Sequence, residues 1–188
     1  MADEIYIARH GATEWSKSGQ HTSRTDLPLL PEGREQASEE LRTKLGGVEF
    51  SLVLCSPLRR ARETCELAGF GDVAEITEDL VEWEYGEYEG LTTPEIRETT
   101  PSWWLWRDGC PGGETPGEIS ARVDRVLERF ASVDGRGLVF AHGHVLRVFT
   151  ARWLEMEVDA GARFKLEAGS LGILGHERDT SVIERWSA

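Results

Sequence analysis

Short apolar runs alternate with amphipathic stretches along the chain. The apolar runs predict strands at 4–8, 51–55, 73–76 and 137–141, with further short strands at 163–167, 170–176 and 181–186. The segments between them predict helices at 31–45, 57–69, 116–131 and 145–154. The nearly all-apolar run at 51–55 is typical of a strand buried on both faces of a parallel sheet. This alternation predicts an α/β fold with a mostly parallel central sheet flanked by helices.

Capping signals indicate where several helices begin. Ser56-Pro57 offers an N-cap residue followed by a first-turn proline, and Thr115 to Glu118 match a capping box. A short helix is expected after Thr93-Pro94, inside a segment that is otherwise irregular and rich in tryptophan. We therefore predict one domain over residues 1–188 with a tryptophan-rich insert at about 83–113. We expect three tryptophans mainly to pack this insert against the core: Trp103, Trp104 and Trp106.

Composition narrows the class of partner. The chain has 188 residues, with 21 Lys and Arg against 34 Asp and Glu, so its formal net charge is −13. This balance argues against nucleic acid and against an electrostatic hold on anionic membranes. The acidic start and the absence of a long apolar stretch predict no signal peptide and no membrane span. The cysteines Cys55, Cys65 and Cys110 show no CxxC spacing, so we expect a cytoplasmic protein.

Three polar turns follow predicted strands. They are Arg9-His10-Gly11, Ser56-Pro57 with Arg59-Arg60, and His142-Gly143-His144. Because ligands bind at the carboxyl ends of the strands in such sheets, these turns are expected to converge on one site. Four of their residues would form a cationic pocket suited to a phosphoryl group: Arg9, His10, Arg60 and His142. Helix N-termini after Ser56 and Gly143 are expected to add backbone N–H donors.

A histidine in such a pocket can act as a nucleophile that forms a covalent phosphoryl intermediate. Neighbouring arginines lower its pKa and keep the attacking nitrogen unprotonated. The leaving oxygen then needs a proton from a carboxylic acid. Glu82 and Glu84 both lie in an acidic run, and the residues alone do not choose between them.

Four motifs in chain order resemble the histidine phosphatase superfamily, the phosphoglycerate mutase-like group. They are Arg9-His10-Gly11, Ser56 to Thr64, Glu82-(x)3-Gly86-(x)2-Glu89-Gly90 and Ala141 to His144. The resemblance covers about residues 4–176 and implies a three-layer α/β/α sandwich. Three further stretches resemble the sedoheptulose-1,7-bisphosphatase branch and actinobacterial acid phosphatases: Trp15 to Gln20, Trp106 to Cys110 and His142 to Arg147.

The resemblance implies a role for each matching residue. His10 would be the phosphorylated nucleophile and Glu82, rather than Glu84, the proton donor. Three residues would bind the transferred phosphoryl group: Arg9, Arg60 and His142. The substrate would also meet Gly11, Ser16, Gln20, Tyr85, Gly143, His144 and Arg147. Ser16 stands where many relatives carry asparagine, so one phosphate contact is expected to be weaker or water-mediated. His21 is interpreted as a plain loop residue.

These observations predict a phosphatase that hydrolyses small phosphomonoesters, sugar phosphates or bisphosphates, without a metal or other cofactor. One alternative is a cofactor-dependent phosphoglycerate mutase, although the segment between Glu82 and His142 is shorter than mutases of the family carry. A second is a non-catalytic module that binds phosphorylated ligands, and a third is an interaction protein that uses the tryptophan-rich segment. Pairing along an exposed sheet edge would allow a homodimer.

Overall fold

The computed structural model describes residues 2–188, which form a six-stranded sheet. Its strands are β1 (Glu4–Arg9), β2 (Leu52–Cys55), β3 (Glu75–Ile76), β4 (Arg136–Ala141), β5 (Leu171–Glu177) and β6 (Thr180–Arg185). The strand order is β3-β2-β4-β1-β5-β6. The first four strands pair in parallel, and β5 and β6 add antiparallel pairs at one edge. The predicted mostly parallel sheet is confirmed.

Helices cover both faces of the sheet. They are α1 (Glu14–Ser18), α2 (Pro31–Glu35), α3 (Arg42–Leu45), α4 (Arg59–Leu67), α5 (Thr93–Thr99), α6 (Leu105–Asp108), α7 (Pro116–Ala131) and α8 (Gly143–Trp153). A π-helical stretch, Gln36–Leu41, joins α2 to α3, and 3₁₀ turns form at Glu78–Leu80, Gly86–Tyr88 and Val158–Arg163. Neighbouring residues of β4 enter different hydrophobic clusters: Val139 shares one with Phe149 of α8, and Phe140 shares the other with Cys65 of α4. The three-layer arrangement is thereby confirmed.

The predicted start of α4 at Ser56-Pro57 is wrong. The helix begins at Arg59 with Leu58 as its N-cap residue. The Ser56 hydroxyl instead lies 2.7 Å from Nε2 of His142, a contact that the local capping pattern does not reveal. By contrast, the capping box between Thr115 and Glu118 forms as predicted at the start of α7.

The predicted strand at 163–167 is also wrong. The 3₁₀ turn Val158–Arg163 ends there, and the following residues up to β5 form no strand. Their carbonyls accept side-chain hydrogen bonds instead, at Lys165 from Trp186 and at Leu166 from Arg9. In addition, α6 lies in a segment predicted to be irregular. No helix formed by residues 2–188 is both long and apolar enough to cross a membrane.

Candidate active site

The strand order brings His10 and His142 together. His10 directly follows β1, and His142 directly follows β4, its parallel neighbour. The His10 backbone N–H donates to the Ala141 carbonyl at 3.0 Å, and the two imidazole rings lie 5.2 Å apart. The predicted meeting of these two turns follows from the pairing of their strands.

The hydrogen bond of the His10 ring determines its tautomer. Nδ1 lies 2.8 Å from the carbonyl oxygen of Gly11, which can only accept, so Nδ1 carries the ring hydrogen. Burial lowers the pKa of His10 well below its ordinary value, and the nearby Arg60 and Arg9 lower it further. The ring is therefore neutral at pH 7, and Nε2 has a free lone pair.

Gly11 holds this turn in place without lining the cavity. Its N–H donates to Thr64 Oγ1 at 3.1 Å. A Cβ added at Gly11 would lie 2.2 Å from the Gly33 carbonyl oxygen, so the turn packs backbone to backbone against α2. Only glycine permits this approach. Its N–H is already used, so Gly11 contributes to the site through the position of His10.

Two arginines lie near His10: Arg60 is fully buried and Arg9 is half-buried. Arg60 donates to the carbonyls of Thr22, Ser23 and Thr25, at 3.0–3.2 Å. Arg9 donates from Nη1 to the Leu166 carbonyl at 2.5 Å. The Nε–H groups of both arginines are buried and have no hydrogen-bond partner within residues 2–188.

The loop around Arg60 depends on Glu89, which the sequence analysis did not select as a site residue. Its carboxylate accepts from the N–H groups of Ser23 and Thr25, at 2.9–3.0 Å. The carbonyls of the same two residues accept from Arg60. The sequence contains a signal for Glu89, because this residue belongs to the family motif that runs from Glu82 to Gly90.

His142 is neutral and held from one side. Burial and the charge of Arg60 lower its pKa well below the ordinary value. Nε2 faces the Ser56 hydroxyl, and Nδ1 is buried without a hydrogen-bond partner within the described chain. Ser56 therefore positions His142 instead of starting α4.

Both helix N-termini assigned to phosphate binding are engaged by carboxylates of the protein. At α8, Glu82 accepts from the N–H groups of His144 and Val145, at 2.8–2.9 Å. At α4, Asp26 accepts from the Arg59 N–H at 2.7 Å. These contacts occupy the N–H groups of Arg59, His144 and Val145, so these three are not free to donate to a phosphate.

Glu82 is buried and firmly oriented. Oε1 accepts from Trp83 N and Val145 N, whereas Oε2 accepts only from His144 N. A carboxylate has about four acceptor positions, so Oε2 retains one. Gly143 keeps the adjacent space open, because an added Cβ would lie 3.2 Å from Cζ of Arg9.

A cavity of about 280 Å³ extends from His10 and Glu82 to the outer loops. Most of the remaining residues predicted to meet substrate line it: Ser16, Gln20, Tyr85, Gly143, His144 and Arg147. The Ser16 hydroxyl is bonded to Thr13 in a capping box, and Gln20 donates to the Gly90 carbonyl at 2.8 Å. Both side chains are thus already fixed.

Arg147 is the cation at the far side of the cavity. It donates to the carbonyls of Gly161 and Ala162, each at 2.8 Å, and its guanidinium lies 4.7 Å from the Trp106 ring centre. Trp103 and Trp106 are buried as expected, whereas Trp104 is 37% exposed. Trp106 therefore packs the insert and supports Arg147 as well.

His21 lies on the cavity wall, although it was interpreted as a plain loop residue. Its side chain is buried, and its ring centre lies 4.7 Å from that of Tyr85. Its N–H donates to the Leu91 carbonyl, its own carbonyl accepts from Gly90, and the neighbouring Gln20 forms a bridge with Thr92. No local sequence pattern indicated this pairing of two distant segments.

The chain is similar to known proteins over most of its length. The family model of the histidine phosphatase superfamily (branch 1) matches residues 5–188. An acid phosphatase from Mycobacterium tuberculosis is 42% identical over 92% of this chain and 86% of its own length. A sedoheptulose 1,7-bisphosphatase from Saccharomyces cerevisiae is 39% identical over 84% and 70%.

A solved structure points the same way. An open reading frame product from Mycobacterium tuberculosis superposes with a TM-score of 0.91 at 38% identity, and the match covers 100% of this chain and 98% of the other. The resemblance in the motifs, the match to the family and the shared fold agree. The chain belongs to the histidine phosphatase superfamily.

Proposed function

We propose that this histidine phosphatase hydrolyses small phosphomonoesters, sugar phosphates or bisphosphates, through a phosphohistidine at His10. One observation carries the proposal. The Nδ1 hydrogen of His10 is committed to the Gly11 carbonyl, so the lone pair of a neutral ring lies on Nε2. A nitrogen in this state is ready to attack phosphorus.

The first step transfers the phosphoryl group to His10. Nε2 attacks phosphorus, the bond from phosphorus to the ester oxygen breaks, and that oxygen takes a proton from Oε2 of Glu82. The unpaired Nε–H groups of Arg9 and Arg60 donate to the phosphoryl oxygens. Each such hydrogen bond to developing charge contributes about 3 kcal/mol. Two guanidinium charges supply the positive field, so the reaction proceeds without a metal.

His142 donates to the same group. With the Ser56 hydroxyl donating to Nε2, the hydrogen of the neutral ring lies on Nδ1, the nitrogen without a partner within the described chain. In the second step, Glu82 removes a proton from water, and the water oxygen attacks phosphorus. The bond from phosphorus to Nε2 breaks, inorganic phosphate leaves, and His10 regains its lone pair.

The cavity then has two ends. Arg9 and His10 line the phosphate end, and the fully buried Arg60 and His142 lie next to His10 without lining the cavity. The leaving-group end consists of Gln20, His21, Tyr85, His144 and Arg147. Arg147 keeps N–H groups that are not used by Gly161 and Ala162, and these suit a distal phosphate. The similarity to a sedoheptulose bisphosphatase supports a phosphorylated sugar as the leaving group.

The test is the initial rate of inorganic phosphate release with EDTA present. Sedoheptulose bisphosphate, fructose 1,6-bisphosphate, 3-phosphoglycerate and p-nitrophenyl phosphate form the panel. His10→Ala should reduce every rate on the order of 10⁴-fold or more, because the nucleophile is lost. His176→Ala is the matched control, since this histidine lies in β5 and does not line the cavity.

If the wild-type protein released phosphate from none of these esters, the proposal would be wrong. Rates that His10→Ala leaves intact would also contradict it. A rate that depends on added 2,3-bisphosphoglycerate, with the phosphoryl group retained on an organic product, would instead indicate a mutase.

A further inference from the structure

A polar pair on the cavity wall is not used by the chemistry described above. Nε2 of His21 lies 3.3 Å from Oγ1 of Thr93, and both residues line the cavity. The backbone bonds from His21 to Leu91 and Gly90 fix this pair on the wall. The pair therefore presents an imidazole and a hydroxyl at a defined place.

A second pair of the same kind stands beside it. Tyr85 Oη lies 2.6 Å from Nδ1 of His144. Burial raises the pKa of Tyr85 well above its ordinary value, and the nearby Glu82 raises it further. The phenol thus keeps its proton, and in this hydrogen bond either the phenol or Nδ1 of His144 is the donor.

Both imidazoles are uncharged at neutral pH. Burial lowers the pKa of His21 to about 4, and burial together with Arg147 lowers that of His144 well below its ordinary value. The two ring centres lie 6.0 Å apart, with Tyr85 in contact with both. This wall is polar and neutral, and each pair can both donate and accept hydrogen bonds.

We propose that the His21–Thr93 pair, with the Tyr85–His144 pair, recognises hydroxyl groups of a polyhydroxylated leaving group. A hydroxyl both donates and accepts, which matches a neutral imidazole paired with a hydroxyl. A carboxylate would need cations or donors alone, and Arg147 is the one guanidinium at the leaving-group end. The inference rests on the proposed phosphatase function and makes His21 and Thr93 specificity-determining residues.

The test compares two substrates that differ in their leaving group. Fructose 1,6-bisphosphate releases a fructose monophosphate with several hydroxyls, whereas p-nitrophenyl phosphate releases a phenol without further hydroxyls. His21→Phe keeps a ring against Tyr85 and removes the hydrogen bonds. We expect the ratio of kcat/KM for the sugar ester to that for the aryl ester to fall about tenfold. His21→Gln, whose amide donates and accepts, should recover most of this ratio.

Thr93→Val tests the other half of the pair. It also provides the alternative test if His21→Phe does not fold. It should lower the same ratio by about threefold. Thr99→Val is its control, because Thr99 lies in the same helix and is exposed. Circular dichroism melting curves verify that each variant is folded.

The outcomes separate the two proposals. Equal loss on both substrates, or no loss on the sugar ester, would overturn the role of this wall while the phosphatase function stands. A wild-type protein that releases phosphate from neither substrate would overturn the phosphatase function, and this inference with it.

Discussion

The phosphate end and the leaving-group end of the cavity are built from different parts of the fold. The phosphate end has two histidines that directly follow paired parallel strands, and it concentrates positive charge from the buried Arg60 and the half-buried Arg9. Much of the leaving-group end lies on the segments 19–22 and 85–93, and its two imidazoles are neutral. The residues that act on every phosphate ester are thus positioned by the strands of the sheet, whereas recognition of a particular ester depends on loops.

This contrast makes a general prediction. Changes at the phosphate end should affect all substrates by the same factor, because every substrate presents the same phosphoryl group. Changes that act on the leaving group should depend on which ester is used. The four experiments below run from the largest expected effect to the smallest.

Glu82→Gln removes the proton carrier at the boundary between the two ends. We expect kcat/KM for fructose 1,6-bisphosphate, which reports the first step and not hydrolysis of the shared phosphohistidine, to fall about 10³-fold, within the range for general acid–base catalysis. The fall should be smaller for p-nitrophenyl phosphate, since nitrophenolate departs without a proton. Steady-state rates on both esters provide the measurement, and equal losses would contradict the assignment of Glu82 as the acid.

Arg60→Lys replaces the guanidinium at the phosphate end. Lysine cannot reproduce the fork that holds three loop carbonyls and leaves Nε–H free. We expect kcat/KM to fall about 10²-fold, and by the same factor on both esters. Arg62→Lys, an exposed position in the same helix, is the control. A loss confined to one ester would contradict the prediction that the phosphate end acts equally on all esters.

Glu89→Gln tests whether a residue outside the phosphate end helps to position Arg60. The variant weakens the hold on Ser23 and Thr25, whose carbonyls bind Arg60. We expect about a tenfold fall in kcat/KM on both esters, and less than additive loss when it is combined with Arg60→Lys. Glu87→Gln is the control, because Glu87 is exposed. Fully additive losses would show that Glu89 does not act through Arg60.

Acid should destabilise the leaving-group end through His21. Its pKa in the folded protein is about 4, below that of an unfolded histidine, so the unfolded chain binds the proton first. The stability that neutral His21 contributes is therefore fully present above pH 6.5 and is lost as pH falls toward 4. Between pH 6 and pH 5 this residue should lower the free energy of unfolding by about 1 kcal/mol.

Urea unfolding of the wild type and of His21→Phe at both pH values isolates this contribution. The variant should lose less stability on acidification than the wild type. Identical losses would mean that His21 does not carry a lowered pKa. Buried groups other than His144, whose pKa is lowered by the charge of His21, titrate equally in both proteins and cancel in the difference.

The phosphate end was predictable because two regular patterns meet there. Strand periodicity locates where β1 and β4 end, and parallel pairing forces those ends to one edge. His10 and His142 follow from this alone, and the family resemblance supplied Glu82. The engagement of both helix N-termini was not predictable, because Glu82 and Asp26 reach them from segments distant in sequence.

The leaving-group end resisted prediction for a physical reason. His21 becomes a wall residue only when its backbone pairs with Leu91 and Gly90, nearly seventy positions away. Glu89 matters only once it accepts from Ser23 and Thr25. Such contacts arise from loop closure, for which the chain has no repeating pattern to read.

The backbone bonds between His21, Leu91 and Gly90 have a consequence for protein engineering. They join segments 19–22 and 85–93 into a single module, although the chain separates them. Chimaeras that import one segment from a relative should disrupt the side-chain contacts between the two segments, such as those of His21 with Tyr85 and Thr93, and fold poorly. Chimaeras that import both together should transfer the donor's substrate preference intact. Recombination libraries built on this scaffold should therefore exchange the two segments as a pair.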